Sequence, residues 1–179
     1  MKSRIATATA FAIAMTFPFH SAAQDDSDAS DAARVLSVIG RTERVALADG
    51  GVIMQAKVDT GADSTSIDAR KIEEFEREGD DWVRFEVRTN DDQVVTFERE
   101  IVDTVIIIGA GDEEQERFVV EIGLCVSDVQ RDVEVNLADR SGLDYRLLLG
   151  RGFLEDGGFL INVAQEFSHE PQCPDLVER

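Results

Sequence analysis

The stretch Ala56-Lys57-Val58-Asp59-Thr60-Gly61-Ala62-Asp63-Ser64-Thr65 turns the end of an apolar strand directly into a carboxylate, a hydroxyl and a glycine. Val52 to Val58 reads as the strand that leads into it. Before that strand, Ala48-Asp49-Gly50-Gly51 is a hairpin turn, because Asp-Gly and Gly-Gly accept positive φ at little cost. Glu43 to Leu47 and Val35 to Ile39 are the short β segments further upstream. Late in the chain a second stretch stands out, Leu147-Leu148-Leu149-Gly150-Arg151-Gly152-Phe153-Leu154, a buried apolar run stopped by glycine.

Between these two stretches the pattern stays β. Trp82 to Arg88 alternates apolar and charged side chains, Thr89-Asn90-Asp91-Asp92 turns the chain, and Val94 to Glu98 returns as a hairpin partner. Ile101 to Ile108 is a nearly continuous β-branched run ending at Gly109-Ala110-Gly111-Asp112. Phe118 to Ile122, Cys125 to Val129, Val133 to Leu137 and Phe159 to Val163 are predicted as further strands. Asp68 to Glu78 holds the one helical pattern, with Asp68 as its cap and Ile72 and Phe75 three apart on one face. Many short, turn-punctuated strands with one or two short helices predict a closed all-β domain over residues 35–164.

The composition agrees with an enzyme or binding module rather than a nucleic-acid binder. Of 179 residues, 37 are Asp or Glu and 18 are Lys or Arg, a net charge of −19, whereas phosphate binding needs clustered cations. An anionic lipid surface is disfavoured for the same reason. The 43% hydrophobic content is that of a globular chain. Lysine is rare, with only Lys2, Lys57 and Lys71.

Residues 1–23 read as a signal peptide. Lys2 and Arg4 form its charged start, Ile5 to Phe17 is uncharged and apolar, and Ser21-Ala22-Ala23 supplies the small residues of a cleavage site. The apolar run falls short of the ~20 residues that span a bilayer. Cleavage before Gln24 removes two bases and takes the net charge from −19 to −21. A periplasmic or secreted protein is expected, with residues 24–34, small and acidic, as a flexible linker and 165–179 as a polar tail. Export would permit a Cys125–Cys173 disulfide; the alternative is a buried free Cys125 and an exposed Cys173.

Asp59-Thr60-Gly61 alone has a plain alternative, an Asp making an Asx-type turn after a strand. Together with the late Leu147-Leu148-Leu149-Gly150-Arg151, however, it resembles the paired hallmarks of retropepsins, the single-lobe aspartic proteases. The match is closer still to bacterial retropepsin-like proteins labelled ATP-dependent zinc proteases, at Ala56 to Ala62, Trp82-Val83-Arg84-Phe85, Leu137-Ala138-Asp139-Arg140-Ser141 and Leu148 to Leu154. It covers roughly residues 36–163.

The resemblance implies a retropepsin-like closed barrel and an aspartic endopeptidase acting on peptides or proteins. Its catalytic residues would be Asp59, Thr60 and Gly61, with Ala62, Asp63, Gly150 and Arg151 as supporting or substrate-binding residues. Asp63 and Arg151 would form a buried ion pair. One Asp-Thr-Gly copy is present, since Asp103-Thr104 is followed by Val105 and Asp156-Gly157 lacks the Thr. A dyad of carboxylates sharing one proton therefore requires a homodimer. The hairpin Trp82 to Glu98 is the expected flap, although its tip is acidic and glycine-free. No cofactor is expected from these residues: H-E-x-x-H and G-x-x-x-x-G-K-[ST] are missing, and His169 with Cys173 is the sole metal-like spacing in the tail. Two other readings stand beside the peptidase, a non-catalytic binding module of the same fold and a metal-dependent peptidase.

Overall fold

A computed structural model of the chain describes residues 36–48, 51–108 and 114–173. The leader at 1–23, the linker at 24–34, the turns at Asp49-Gly50 and Gly109 to Asp112, and residues 174–179 lie outside the described residues.

Alternation of apolar and polar side chains drives the strands, and the turns between them are set by short polar segments. β1 (Ser37–Gly40), β2 (Thr42–Leu47) and β3 (Val52–Val58) lead to the Asp59 loop. β4 (Thr65–Arg77), β5 (Asp80–Arg88), β6 (Val94–Glu100) and β7 (Asp103–Ile108) follow. β8 (Glu114–Val126), β9 (Val129–Ala138), β10 (Leu147–Leu149), the one-turn helix α1 (Arg151–Leu154) and β11 (Phe159–Asn162) complete the order.

Six strands close into a barrel in the order β10-β3-β2-β8-β9-β4, because β10 pairs with β3 on one edge and β4 on the other. The β3–β10 and β4–β9 pairings are parallel, and β2–β3, β2–β8 and β8–β9 are antiparallel. Val52, Met54, Ala56 and Val58 of β3 point inward while Ile53 and Lys57 point out, the two-residue period of a half-buried strand. Ile67, Val120, Ile122, Leu124, Val135, Leu137, Leu147 and Leu149 fill the same core, and each such buried side chain contributes about 1.5–3 kcal/mol. The closed, nearly all-β barrel is the predicted class.

Four segments differ from the sequence reading. Asp68 to Glu78 is not a helix: through Arg77 it belongs to β4, which pairs with β9 from Thr65 to Asp68 and with β5 from Ala69 to Arg77, and Glu78 is in the turn to β5. A bulge between Arg70 and Glu73, with Lys71 at φ 48°, interrupts the strand period there, and Ile72, 40% exposed, forms no buried helical face with Phe75. Nor is Asp68 a cap; its side chain is wholly buried. Cys125 to Val129 is not a strand of its own, because β8 runs unbroken through Gly123 and turns at Ser127, φ 57°, into β9. A Cβ on Gly123 would stand 2.8 Å from the Ala48 Cβ and 2.9 Å from Asp132 Oδ1, so only glycine lets β8 pass between its neighbours.

The third difference is the tail. Residues 165–173 are strapped along β1 and β2: Arg41 N donates to Gln165 O at 2.9 Å and Phe167 N to Thr42 O at 2.8 Å. The buried Glu43 carboxylate accepts from the backbone amides of Gly40, Ser168 and His169, and Arg44 lies over the Phe167 ring. Cys125 and Cys173 form a disulfide with their Cα atoms 6.2 Å apart, which decides between the two cysteine readings. The fourth is the Trp82 to Glu98 hairpin. Val83, Phe85, Val87 and Phe97 are buried in the main core, and the tip residue Asn90 accepts the Gln55 amide of β3 at 2.7 Å. In this structure the expected flap packs as a wall of the domain.

Candidate active site

β3 delivers Asp59 to the barrel rim, and β10 fixes it there. Asp59 N donates to Leu149 O at 2.9 Å, continuing the parallel β3–β10 pairing by one residue. The chain then folds back on itself: Gly61 N donates to Asp59 Oδ1 at 3.0 Å and Ala62 N to Asp59 O at 3.3 Å. Lys57 Nζ reaches the other carboxylate oxygen, Oδ2, at 3.2 Å. The side chain keeps 28% exposure, so the carboxylate is braced yet reachable. The Lys57 hydrogen bond, helped by the Gly61 amide and opposed by partial burial, holds Asp59 below the usual aspartate range.

The late glycine stretch is stitched onto this loop. Gly150 N donates to Thr65 Oγ1 at 3.2 Å, Arg151 N to Ala62 O at 2.8 Å and Gly152 N to Asp63 O at 3.0 Å. Gly150 is the contact point, since a Cβ there would fall 2.3 Å from Ser64 O. The Arg151 side chain pairs with Asp63 and also donates to Thr60 O at 3.1 Å. All seven residues read from the sequence, Asp59, Thr60, Gly61, Ala62, Asp63, Gly150 and Arg151, thus meet at one place. The Asp63–Arg151 pair is not buried, however: its side chains are 87% and 39% exposed, so in the single chain it is a surface pair worth at most about 1 kcal/mol.

Further residues complete the support. Asn136 of β9 is buried and donates from Nδ2 to Ser64 Oγ at 3.0 Å and to Thr65 O at 2.9 Å, bracing the far side of the loop. Asp68 accepts Arg140 N at 2.7 Å and Arg146 Nη1 at 3.0 Å and has Arg70 at 3.3 Å. Arg140 donates to Tyr145 O and Ser66 Oγ, both at 3.1 Å. Burial and the nearby Arg117 pull its guanidinium below the usual arginine range, while Asp68 and Asp59 oppose that shift. Arg140 was legible as part of Leu137 to Ser141 but without a role. Asn136 gave no signal, because one polar residue in an apolar strand shows no partner until β4 lies beside β9.

A cleft of about 500 Å³ opens beside the loop, lined among others by Arg41, Thr42, Lys57, Arg140, Tyr145 and Leu148. Thr42 Oγ1 on its wall is buried and has no hydrogen-bond partner among the described residues. Arg41 is paired with Glu166 of the strapped tail, which also lines the cleft. The metal-like pair in the tail does not fit a zinc site: the Cys173 sulfur is consumed by the disulfide, and His169 Nε2 sits 2.9 Å from Val38 O.

Comparison with known proteins places this geometry. Residues 38–172 match the RimB-like family, described as retropepsin-like aspartic endopeptidase RimB. The chain is 34% identical over 123 residues to a probable alpha-L-glutamate ligase of Desulfotalea psychrophila, covering 66% of this chain and 26% of that protein. It is also 34% identical over 118 residues to the protein of that name in Shewanella pealeana, 64% of this chain and 26% of the relative. The chain thus spans about a quarter of the length of the curated relatives it matches. The crystal structure of Lpg0085 from Legionella pneumophila, a protein of unknown function (DUF785), is similar with a TM-score of 0.67 and 34% identity, covering 75% of this chain and 98% of that one. The chain belongs to the RimB-like family of retropepsin-like aspartic endopeptidases.

Proposed function

We propose that the protein is an exported aspartic endopeptidase that works as a symmetric dimer, with Asp59 of each chain facing its mate. The observation that carries the reading is the Asp59 carboxylate itself. It stands at a strand end, braced by Gly61 N, still 28% exposed, next to Lys57 and Val58, which line a cleft of about 500 Å³. Two such carboxylates close together share one proton, as the aspartic-protease dyad does in general. The ionised member takes a proton from water as its oxygen adds to the scissile carbonyl carbon. The protonated member gives its proton to the carbonyl oxygen. Collapse of the resulting gem-diol breaks the C–N bond, with the proton passing to the leaving nitrogen. Thr60, exposed in the single chain, is free to reach across the two-fold axis.

Export is supported by the leader pattern and by the Cys125–Cys173 disulfide, a bond of oxidising compartments. Because the relatives are named for ligating glutamate, glutamyl peptides head the substrate panel. The test is peptide cleavage by the purified chain and by Asp59→Asn over a range of pH and protein concentration. Asp59→Asn keeps the size and most of the hydrogen bonding but cannot share a proton, so turnover should fall by at least about 10³-fold with the fold intact. Cleavage should also be lost on dilution below the dimer constant. Undiminished cleavage by Asp59→Asn ends the aspartic reading. Absence of cleavage by the wild type under all conditions moves the assignment to a binding module of the same fold.

A further inference from the structure

Lys57 is one of three lysines in a chain whose cations are otherwise arginine, and it stands two residues before Asp59 on β3. Residues i and i+2 on a strand share a face, so the lysine stem runs along the strand toward the carboxylate. Its ammonium ends 3.2 Å from Asp59 Oδ2 with the side chain 53% exposed, while Oδ1 is held by Gly61 N. Both oxygens of the carboxylate are therefore occupied by donors that favour its charged form. The other charged groups around this point are engaged elsewhere. From α1, Arg151 pairs with Asp63 and donates to Thr60 O. From the segment after β9, Arg140 attracts Asp59 but spends its hydrogen bonds on Tyr145 O and Ser66 Oγ. Arg41, between β1 and β2, pairs with Glu166 of the tail across the same cleft, where Asp144 also lies.

We propose that Lys57 is a positioning residue for the aspartic chemistry: its ammonium fixes Asp59 Oδ2 and sets the acidity range in which the paired Asp59 side chains keep their shared proton. The inference rests on the aspartic reading above. A dyad is active only while one of its two carboxyls stays protonated, so a cation held against each carboxylate makes that proton leave at lower pH. In this geometry the Lys57 hydrogen bond is the largest cause that holds Asp59 below the usual aspartate range. Lysine suits the task because its ammonium is a compact point charge on a flexible stem.

The test compares the full chain with Lys57→Met, which keeps the stem and removes the charge, and Lys57→Arg, which restores charge with a different head. Two readouts are taken on each: the titration midpoint of the Asp59 carboxyl carbon by NMR, and the basic limb of the kcat/KM profile against pH. Both should move to higher pH in Lys57→Met and return toward wild type in Lys57→Arg. A merely structural lysine would lower melting temperature or kcat at every pH and leave both midpoints in place. That outcome overturns the proposal. Should Lys57→Met fail to fold, Lys57→Gln serves in its stead. Failure of the aspartic reading is separable: it shows as cleavage by Asp59→Asn, whereas the NMR midpoint judges Lys57 without any turnover.

Discussion

Gly150→Ala isolates the contact on which the site depends. Gly150 has φ −90°, so alanine meets no backbone strain there and the effect is steric alone. The added Cβ would lie 2.3 Å from Ser64 O, 2.5 Å from Ser64 C and 3.1 Å from Ala62 O, all of them backbone atoms. Ordinary contact begins near 3.4 Å, so the β10–α1 corner and the Asp59 loop must separate by about 1 Å. Three hydrogen bonds cross that gap, from Gly150 N to Thr65 Oγ1, Arg151 N to Ala62 O and Gly152 N to Asp63 O. At a net value of about 1 kcal/mol each, their weakening sets a ceiling near 3 kcal/mol. Overpacking a tight site costs about 1–3 kcal/mol by itself. The expected loss is about 2–3 kcal/mol, a fall in melting temperature of roughly 6–12 °C for a domain of this size. Gly142→Ala is the matched control, because a Cβ there meets nothing within 4 Å and should change stability by less than about 0.5 kcal/mol. Thermal and urea unfolding of the two variants decide the matter. Equal stability of Gly150→Ala and Gly142→Ala would refute the claim that the late glycine is the hinge pin of the site.

Two further outcomes follow from the support of the loop. Asp68→Ala strands Arg146 and Arg70 without their buried carboxylate and should cost about 3 kcal/mol by urea unfolding, the low end for a broken buried pair because both arginines reach solvent; a loss under 1 kcal/mol would show the network to be incidental. Reducing the Cys125–Cys173 disulfide, which closes a separation of 48 residues, should cost about 4 kcal/mol on the chain-entropy account, and hydrogen exchange should rise first at Phe167 N, which bonds to Thr42 O, and Gln172 N, which bonds to Ser127 O.

The sequence by itself determined the class of the fold and the place of the chemistry. Period-two alternation in Val52 to Val58 and Trp82 to Arg88 needs only the chain's own side chains to be read, and so does a carboxylate-hydroxyl-glycine run at a strand end. The likeness of two separated stretches named the seven residues that the structure gathers, from Asp59 to Arg151. What it misjudged were features that exist only between segments. Ile72 and Phe75, three apart in β4, mimic a helical spacing because local periodicity cannot tell two apolar residues of a bulged strand from a turn of helix, and only pairing with β5 and β9 settles it. Asp63 and Arg151 were rightly joined but wrongly buried, since exposure depends on what lies over a pair rather than on the pair. Tertiary structure alone brought Asn136 under the loop, strapped residues 165–173 to β2, turned the Trp82 to Glu98 hairpin into a wall of the core and laid the Lys57 ammonium on Asp59. Each of these is a contact between atoms whose separation is fixed by barrel closure, and closure is a property of all six strands at once.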